Sequence, residues 1–337
     1  MTADSLDTLL SRLPSLSILV IGDFFLERYL DIDPALAEMS IETGLTANQV
    51  TGIRNSPGAA GTVTNNLCAL GVGNVIALGC IGDDGHGFDL ERGLVATGVD
   101  TTHLLRSLDR VTPTYTKPIL LPTGEERERL DVKNRTPTPS AIESELVLRL
   151  ESVASRVDGI LVLDQVQESE CGVVTTKVRN AIAEVAKGRP GLPVLADSRE
   201  RIGDFKDVIV KVNEEEARNA VGGTELEATA RTLSERNGKP VVITRGPDGL
   251  LVVDGDAATT IPGNDVPPPI DIVGAGDSVS ASLISALAGS ASLEDAARLG
   301  VIASSITVQQ IGTTGVATPD QIRLRYSESP FSNASSD

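Results

Sequence analysis

The sequence of 337 residues predicts an α/β protein with a doubly wound, mostly parallel β-sheet, helices on both faces of that sheet, and a small β-sheet lid. Short runs of Val, Ile and Leu, typical of buried parallel strands, alternate with longer helical patterns along most of the chain. Aromatic residues make up only 2% of the sequence and Trp is absent, so aliphatic side chains must fill the core. Two polar stretches with weak alternation interrupt the rhythm and predict the lid.

The predicted elements follow one another from the N-terminus. Buried strands are expected at residues 16–21, 75–78, 159–163, 193–196, 208–212 and 241–244, and a hairpin at 249–253 with 258–261. Helices are expected at about residues 58–71, 88–97, 173–187, 214–221, 226–236, 277–287 and 293–308. Strands that alternate with helices predict parallel pairing with crossover connections.

The domain boundaries are placed where the pattern changes. The main α/β domain is expected to comprise residues 1–28, 56–110 and 133–325. Residues 29–55 and 111–132 are expected to pair with each other as the lid, beside the main domain. The Ser-rich residues 326–337 are expected to form a disordered tail.

Charge and composition restrict the partners. The chain carries 29 basic and 47 acidic residues, a net charge of −18, which opposes binding to nucleic acid. Three cysteines without metal-ligand spacing are typical of a reducing compartment. The N-terminus does not resemble a secretory signal, and no apolar run approaches the ~20 residues needed to span a membrane. We therefore expect a cytoplasmic protein that acts on a small molecule and binds no membrane.

The segment Gly274-Ala275-Gly276-Asp277 is the strongest indication of chemistry in the sequence. Small residues let the backbone approach a ligand, and an apolar helix is predicted to follow at once. The first N–H groups of a helix are unpaired and lie at the positive end of its dipole, so this turn predicts an anion site. A carboxylate there can take a proton from a hydroxyl while the amides hold a phosphoryl group. The alternative is that Asp277 only caps the helix.

Residues 271–277 match the Asp-x-x-Gly-Ala-Gly-Asp pattern of PfkB-type (ribokinase-like) carbohydrate kinases, which the chain resembles from about residue 16 to 325. Other matches in the family's order are Gly22-Asp23, the helix start at Gly58, Gly79-x-x-Gly82-Asp83-Asp84-x-Gly87, Asn213-x-x-Glu216, Thr244-Arg245-Gly246-x-x-Gly249 and Gly312-Thr313. The finer pattern is similar to the heptose phosphate kinase domain of bacterial ADP-heptose synthesis, through Gly22-Asp23, Arg28-Tyr29, Thr114-x-Thr116-Lys117 and Arg129-Leu130-Asp131.

The resemblance implies a ribokinase-like fold and transfer of the γ-phosphoryl group of ATP to a sugar or sugar-phosphate hydroxyl, with Mg²⁺ and a monovalent cation such as K⁺. Asp277 would be the general base, and the amides of Gly274, Ala275 and Gly276 the anion hole. Asn213 and Glu216 would bind Mg²⁺ through its waters, and Asp271 would contribute to the site of the monovalent cation. The residues that would border the nucleotide are Thr244, Gly246, Gly249 and Gly312. Lids of such relatives often pair between subunits, which implies a homodimer.

On the substrate side, the residues implied by the resemblance are Asp23, Glu27, Gly58, Ala59, Thr62 and Lys117. Several depart from the family's pattern, which usually has Asp at Glu27, Gly at Ala59 and Asn at Thr62. Val301 also stands where many relatives have Asn, and the expected Asp-Tyr-x-Lys-Gly reads Asp164-Gln165-Val166-Gln167-Glu168. If the substrate carries a phosphate, the candidate cations are Arg28, Lys117, Arg129 and Arg199.

Two alternatives stay open at this point. Asn213 and Glu216 have the spacing of a capping box, a purely structural helix start. The substrate-side departures are also compatible with a kinase fold retained as a sugar or nucleotide sensor without turnover. Other enzyme classes fit poorly, since neither a Gly-x-Gly-x-x-Gly fingerprint nor a Walker motif occurs and only two histidines are present.

Overall fold

The computed structural model describes residues 1–329 and 331. The strands are β1 Ser17–Gly22, β2 Phe24–Met39, β3 Thr46–Ala59, β4 Asn74–Gly82, β5 Asp100–Ser107, β6 Thr114–Leu120, β7 Glu125–Glu126, β8 Leu130–Val132, β9 Gly159–Asp164, β10 Val194–Ser198, β11 Ile209–Asn213, β12 Val241–Thr244, β13 Leu250–Asp254 and β14 Ala257–Ile261. The helices are α1 Ala3–Arg12, α2 Ala60–Ala69, α3 Gly85–Ala96, α4 Ser140–Ala154, α5 Thr176–Gly188, α6 Glu214–Val221, α7 Leu226–Asn237, α8 Ala275–Ala288, α9 Leu293–Thr307 and α10 Pro319–Glu328.

The main sheet has nine strands in the order β14-β13-β12-β11-β10-β9-β1-β4-β5. The pairs from β5 to β12 are parallel, whereas β12–β13 and β13–β14 are antiparallel and form the predicted hairpin edge. The mostly parallel α/β sheet predicted from the sequence is confirmed.

Helices cover both faces of this sheet because the strands bury both of their faces. Along β1, Ile18 and Val20 join one apolar cluster with residues of α1, α2, α3, α8, α9 and α10. Leu19 and Ile21 point to the opposite face and join a second cluster with residues of α4, α5, α6 and α7. The alternation within one strand therefore separates the two layers of helices.

Helix α4 is not among the helices predicted from the sequence. Its buried residues Leu146, Leu150 and Val153 follow the spacing of three to four residues that marks one face of a helix. Its N-cap is Pro139, which supplies no side-chain hydrogen bond. The polar N-cap that would have marked its start is missing, although the apolar spacing was present in the sequence.

The second sheet, here called the lid, contains β3-β2-β6-β7, with β8 paired to β6. It extends further than predicted, because β2 begins at Phe24 and β3 continues to Ala59. Phe24 to Leu26 pair with residues 57–59 without a break, so the strands of the lid are continuous with the main domain. Within residues 111–132, β6 pairs antiparallel with β7 and β8, and it pairs in parallel with β2.

The predicted disordered tail begins too early. Helix α10 extends to Glu328, and the Tyr326 hydroxyl on it is buried and donates a hydrogen bond to the Met1 carbonyl at 2.9 Å. The prediction is therefore wrong for residues 326–328, and residues 330 and 332–337 lie outside the described residues. Among the described residues, none of the helices is long and apolar enough to cross a membrane.

Candidate active site

Polar residues gather where four neighbouring strands end. The strands β1, β9, β10 and β11 are adjacent and parallel, so their carboxyl ends lie at one edge of the sheet. The residues at or just after these ends are Asp23, Asp164, Ser198, Arg199 and Asn213. Ligands of open α/β sheets bind outside this edge, which makes it the candidate active site.

Helix α8 begins at the same edge and presents backbone N–H groups. Its N-cap, Gly274, has φ 82° and ψ 0°, a left-handed conformation that favours glycine, and supplies no side-chain cap. The Ala275 N–H donates to the Ile272 carbonyl at 3.2 Å, whereas no acceptor is recorded among the described residues for the N–H of Gly276 or Asp277. These two N–H groups can receive an anion at the positive end of the helix.

Asp277 lies at the third position of α8, half-buried, and its carboxylate does not cap the helix. Burial and the nearby charge of Asp197 raise its pKa to about 7, against the opposing charges of Lys211 and Arg199. A carboxylate with that pKa can accept and release a proton near neutral pH. The geometry favours this use of Asp277 over the capping alternative.

Asn213 and Glu216 do form the capping box that the sequence left open. The Asn213 side-chain oxygen accepts the Glu216 N–H and a Glu216 oxygen accepts the Asn213 N–H, both at 2.8 Å. Burial raises the pKa of Glu216, partly offset by the Asn213 N–H, and the charge of Asp197 raises it further. The second carboxylate oxygen of Glu216 makes no recorded hydrogen bond within the described residues, so structural capping leaves it available to a ligand.

These residues suit a magnesium ion held mainly by water and phosphate. No group of three or more His, Cys, Asp or Glu side chains that could hold a metal is found in the described part of the chain. Mg²⁺ usually binds through one or two carboxylates together with waters and substrate phosphates, rather than in an all-protein cage. The free Glu216 oxygen beside the Asn213 amide fits this mode.

Asp271 joins the two loops expected to hold a monovalent cation. One of its carboxylate oxygens accepts the Val273 N–H and the other accepts the Gly312 N–H, both at 3.0 Å. Its own N–H donates to the Val308 carbonyl at 2.7 Å. The carboxylate thus fixes the 271–273 turn, directly before α8, against the loop that follows α9.

The turn expected to border the nucleotide follows β12. Thr244 ends that strand, and Gly246 and Gly249 have φ 56° and 86°. A Cβ at Gly249 would lie 2.1 Å from the Ile261 carbonyl oxygen, so only glycine fits there. The sharp turn leaves the end of β12 open. At this end, Thr244 is paired with Asn213 of β11 in the sheet register.

The structure gives Asp23 a supporting position. It is 3% exposed, and its carboxylate accepts the N–H groups of Gln165, Val166 and Val173 at 2.7–3.0 Å. Burial and the Asp164 charge raise its pKa to about 6, while these three N–H groups oppose the rise. Asp23 therefore shapes the loop after β9, and most of its acceptor capacity is already used there.

Glu27 and Lys117 form an ion pair in the lid. The Lys117 Nζ lies 2.7 Å from Glu27 Oε2 and 5.1 Å from the centroid of the Tyr29 ring. Both side chains are less than one-fifth exposed. Glu27 also fills the space beside Gly58, where a Cβ would lie 2.8 Å from Glu27 Cγ. The longer glutamate thus reaches a lysine of the neighbouring strand.

The remaining substrate-side residues lie where the lid meets α2. Ala59 has φ 52° and ψ −117°, a conformation that is unfavourable for a residue with a Cβ. Thr62 is buried in the first turn of α2, 4% exposed. Thr62 is therefore enclosed, whereas Ala59 lies at the surface of the turn.

A cavity lies between the lid and the carboxyl edge. Its lining is drawn from both domains and comprises Asp23, Phe24, Phe25, Cys80, Arg110, Pro113, Tyr115, Lys133, Asn134, Thr138, Gln165, Val166, Gln167, Glu168, Cys171, Gly172, Val173 and Arg199. Asp277 is not in this lining. Arg199 connects the two regions, because it lines the cavity and its charge acts on Tyr115, Glu216 and Asp277.

The candidate phosphate-binding cations separate in the structure. Arg199 donates to the Gln165 side chain at 2.8 Å, and Arg129 pairs with Asp131 while its guanidinium lies 4.3 Å from the Tyr115 ring centroid. Arg28 pairs with Asp89 on α3 at 2.6 Å, away from the cavity. Lys133, which the sequence analysis did not single out, lines the cavity beside Tyr115.

Sequence reasoning also missed two buried charge pairs at the carboxyl edge. Asp164, 1% exposed, accepts hydrogen bonds from Ser198 and from the Arg201 guanidinium. Asp197 pairs with Lys211 at 2.5 Å. A charged residue inside an apolar strand, such as Lys211 within Val-Lys-Val, was the available signal, because such charges are rarely buried without a partner.

Comparison with known proteins shows which family this chain is similar to. The model of the pfkB family carbohydrate kinases matches residues 17–321. The chain is 30% identical over 326 residues to the bifunctional protein HldE of Trichlorobacter lovleyi. That match covers 94% of this chain but only 64% of the relative, so this chain spans less than two thirds of the relative's length.

Solved structures share the fold at low identity. Phosphofructokinase-2 from Escherichia coli, solved in complex with potassium, superposes with a TM-score of 0.70 and 20% identity, covering 93% of this chain and 99% of that one. Ribokinase from Thermotoga maritima superposes with a TM-score of 0.67 and 19% identity, over 92% of this chain and 99% of that one.

Proposed function

This chain belongs to the pfkB family of carbohydrate kinases, and we propose that it transfers the γ-phosphoryl group of ATP to a sugar or sugar-phosphate hydroxyl with Asp277 as base. The observation that carries the proposal is the first turn of α8. There a half-buried carboxylate with its pKa raised to about 7 lies beside N–H groups that have no recorded acceptor in the described residues. A base and an anion hole on one turn are what phosphoryl transfer to an alcohol requires.

The reaction follows from these groups. As the substrate hydroxyl loses its proton to the Asp277 carboxylate, its oxygen forms a bond to the γ-phosphorus and the bond to the leaving ADP oxygen breaks. The N–H of Gly276 and of Asp277 can donate to the phosphoryl oxygens, whose charge must be balanced throughout the transfer. The Ala275 N–H contributes less, since it already donates to the Ile272 carbonyl.

The nucleotide would bind between the turn after β12 and the start of α8. Gly246 and Gly249 adopt positive φ in this turn and carry no side chain there, and Gly312 belongs to the loop that Asp271 ties to the α8 turn. Asn213 and Glu216 would hold Mg²⁺ through water. When bound, that ion neutralises phosphate charge and orients the phosphates. Asp271 would contribute to a site for K⁺ by maintaining the two loops in register.

The sugar would bind in the cavity under the lid. Asp23 fixes the cavity's loop, and the Phe25 and Tyr115 rings, whose centroids are 5.3 Å apart, line its lid side. In the cavity lining the cations Arg110, Lys133 and Arg199 outnumber the carboxylates Asp23 and Glu168, in a chain of net charge −18. A negatively charged substrate, such as a sugar phosphate, is therefore favoured over a neutral sugar.

The test is a coupled assay of ADP release with Mg-ATP over hexoses, pentoses, sugar phosphates and nucleosides, for the wild type, Asp277→Asn and the control Asp254→Asn. Asp254 is exposed at the end of β13 and lies in none of the proposed sites. We expect Asp277→Asn to lose at least about 10²–10³-fold in kcat with ATP binding retained. Equal loss of ATP binding and thermal stability would support the capping role instead. Tight sugar binding without turnover across the panel would favour a sensor.

We also propose that the protein forms a homodimer through its lid. Its outer half carries large apolar side chains that are more than half exposed, namely Leu36, Met39, Ile41, Leu45, Ile53 and Leu130. Apolar surface of this kind is typical of a protein–protein contact.

A further inference from the structure

A buried ion pair lies directly beneath the first turn of α8. Lys211 and Asp197 are partners in the parallel register of β11 and β10, so their side chains leave the sheet on the same face. Lys211 Nζ lies 2.5 Å from Asp197 Oδ2, and the two residues are 5% and 6% exposed. The pair is thus enclosed between the sheet and the helix.

The pair contacts the α8 turn through two residues. Lys211 Nζ lies 3.4 Å from the Gly276 carbonyl oxygen, and a Cβ at Gly276 would lie 3.3 Å from the same Nζ. Ser280, one helical turn later, has its hydroxyl 2.9 Å from Asp197 Oδ2 and 3.1 Å from the Gly276 carbonyl oxygen. The strands and the helix therefore meet at a polar cluster formed by the ion pair, the Ser280 hydroxyl and the Gly276 carbonyl.

Stability alone does not explain this cluster. Taking two charges out of water costs several kcal/mol for each ion, and well-packed apolar residues often do as well or better at such positions. The neighbours of Lys211 on β11 are Val210 and Val212, which are fully buried. A third apolar residue at 211 would continue that pattern, so the lysine requires another reason.

We propose that Lys211 and Asp197 are positioning residues for the transfer reaction, holding the first turn of α8 so that the N–H groups of Gly276 and Asp277 point to the transferred phosphoryl group while the Asp277 carboxylate points to the substrate hydroxyl. This inference rests on the proposed function. The restraint is local, because the Gly276 carbonyl that contacts Lys211 belongs to the peptide group that supplies the Asp277 N–H. A displacement of that turn by 1 Å would cost about 10²-fold in rate.

The pair also acts on the base through charge. The groups that face Asp277 electrostatically are Asp197 on β10, Lys211 on β11 and Arg199 in the loop after β10. Asp197 disfavours the ionised form of Asp277, whereas Lys211 and Arg199 favour it.

The experiment compares Lys211→Met, Lys211→Arg, Asp197→Asn and the double variant Asp197→Asn/Lys211→Met. We expect Lys211→Met to lower kcat by about 10²-fold with the KM of the sugar changed less than about threefold, and Lys211→Arg to recover part of the loss. The double variant carries no unpaired buried charge, and it should fold with a thermal stability near that of the wild type while remaining slow.

A second readout does not depend on turnover. The Asp277 carboxyl pKa is followed by ¹³C NMR, with Asp277→Asn to assign the signal. Lys211→Met should raise that pKa and Asp197→Asn should lower it, an opposite pair of shifts that a purely structural role would not produce.

The outcomes separate the two proposals. Unchanged kcat in all four variants, or a higher KM for ATP at unchanged kcat, would overturn this inference and leave the proposed function standing. Wild-type protein that turns over none of the sugars would reject the proposed function, and with it the role in transfer. Opposite shifts of the Asp277 pKa in the two variants would then still establish that the ion pair acts on Asp277. If these shifts were absent, that action would be rejected as well.

Discussion

Asp277 and Asp23 lie at the same edge of the sheet, but their local environments give the two carboxylates different roles. Both are aspartates that follow glycine, yet Asp23 accepts three backbone N–H groups and Asp277 has no recorded hydrogen-bond donor among the described residues. Satisfied acceptors make Asp23 a loop support. A carboxylate with an unfilled hydrogen-bonding capacity and a raised pKa is the one suited to accept a substrate proton.

The first residue-scale prediction concerns pH. Since the pKa of Asp277 is raised to about 7 by burial and by Asp197, kcat/KM should fall about tenfold per pH unit below pH 7 and level off above it. The measurement is kcat/KM from pH 5 to 9 in buffers of constant ionic strength. An acid limb near pH 4 would contradict the assignment of Asp277 as a desolvated base.

Thermal unfolding gives the matching stability test. A carboxyl whose pKa is higher in the folded state than the ordinary 3.8 destabilises the fold once it ionises, and this cost grows as pH rises from about 4 to 7. The Tm of Asp277→Asn should therefore equal or exceed that of the wild type at pH 8, and the difference should shrink at pH 5. A lower Tm at pH 8 would indicate a structural role.

At the scale of elements, the turn between β3 and α2 carries local strain. Ala59 has φ 52°, where an L-residue with a Cβ is unfavourable, and the family resemblance indicates glycine at this position. The turn is held because the Ala60 N–H donates to the Asp23 carbonyl at 3.0 Å. The conformation of the strand end is therefore fixed by the backbone of Asp23, between β1 and β2.

Ala59→Gly should stabilise the protein. Strain of about 1–3 kcal/mol is relieved, and the greater freedom of glycine in the unfolded chain offsets about 0.4–1 kcal/mol of this. The net gain of about 1 kcal/mol should raise the Tm by roughly 1–3 °C. The matched control is Gly58→Ala, whose Cβ would lie 2.8 Å from Glu27 Cγ and should lower the Tm. A lower Tm for Ala59→Gly would show that the turn is unstrained.

The sequence predicted the type of most helices and strands well, but it predicted their lengths less well. The buried strands and the β13–β14 hairpin were predicted because aliphatic runs and turn residues report burial directly. The bounds of β2 and β3 were missed because Phe24 to Leu26 are buried by the main domain while they pair within the lid. Periodicity cannot distinguish these two environments when one strand passes through both.

At the scale of the whole molecule, the exposed apolar end of the lid predicts self-association. The double variant Ile41→Asp/Leu45→Asp places two charges on the turn between β2 and β3, where the side chains are 102% and 70% exposed. Light scattering coupled to size exclusion at micromolar concentration should give a dimer for the wild type and a monomer for this variant.

The matched control is Leu324→Asp, on α10 outside the lid and 64% exposed, which should leave the dimer intact. A monomeric wild type would exclude the lid-mediated dimer. A dimer that survives the double substitution would place the interface elsewhere. Neither result would bear on Asp277, which lies on α8 in the main domain.

The order of most strands and helices, the mainly aliphatic core and the Gly-Ala-Gly-Asp turn were determined by the sequence alone, because burial, turn formation and helix starts depend on residues close in the chain. Only the tertiary structure decided which charges meet. Lys211 and Asp197 are 14 residues apart in sequence, and Glu27 and Lys117 belong to β2 and β6, which are separated by β3, α2, β4, α3 and β5. Strand order and register bring such groups together, and these are set by the packing of the entire sheet rather than by any local pattern.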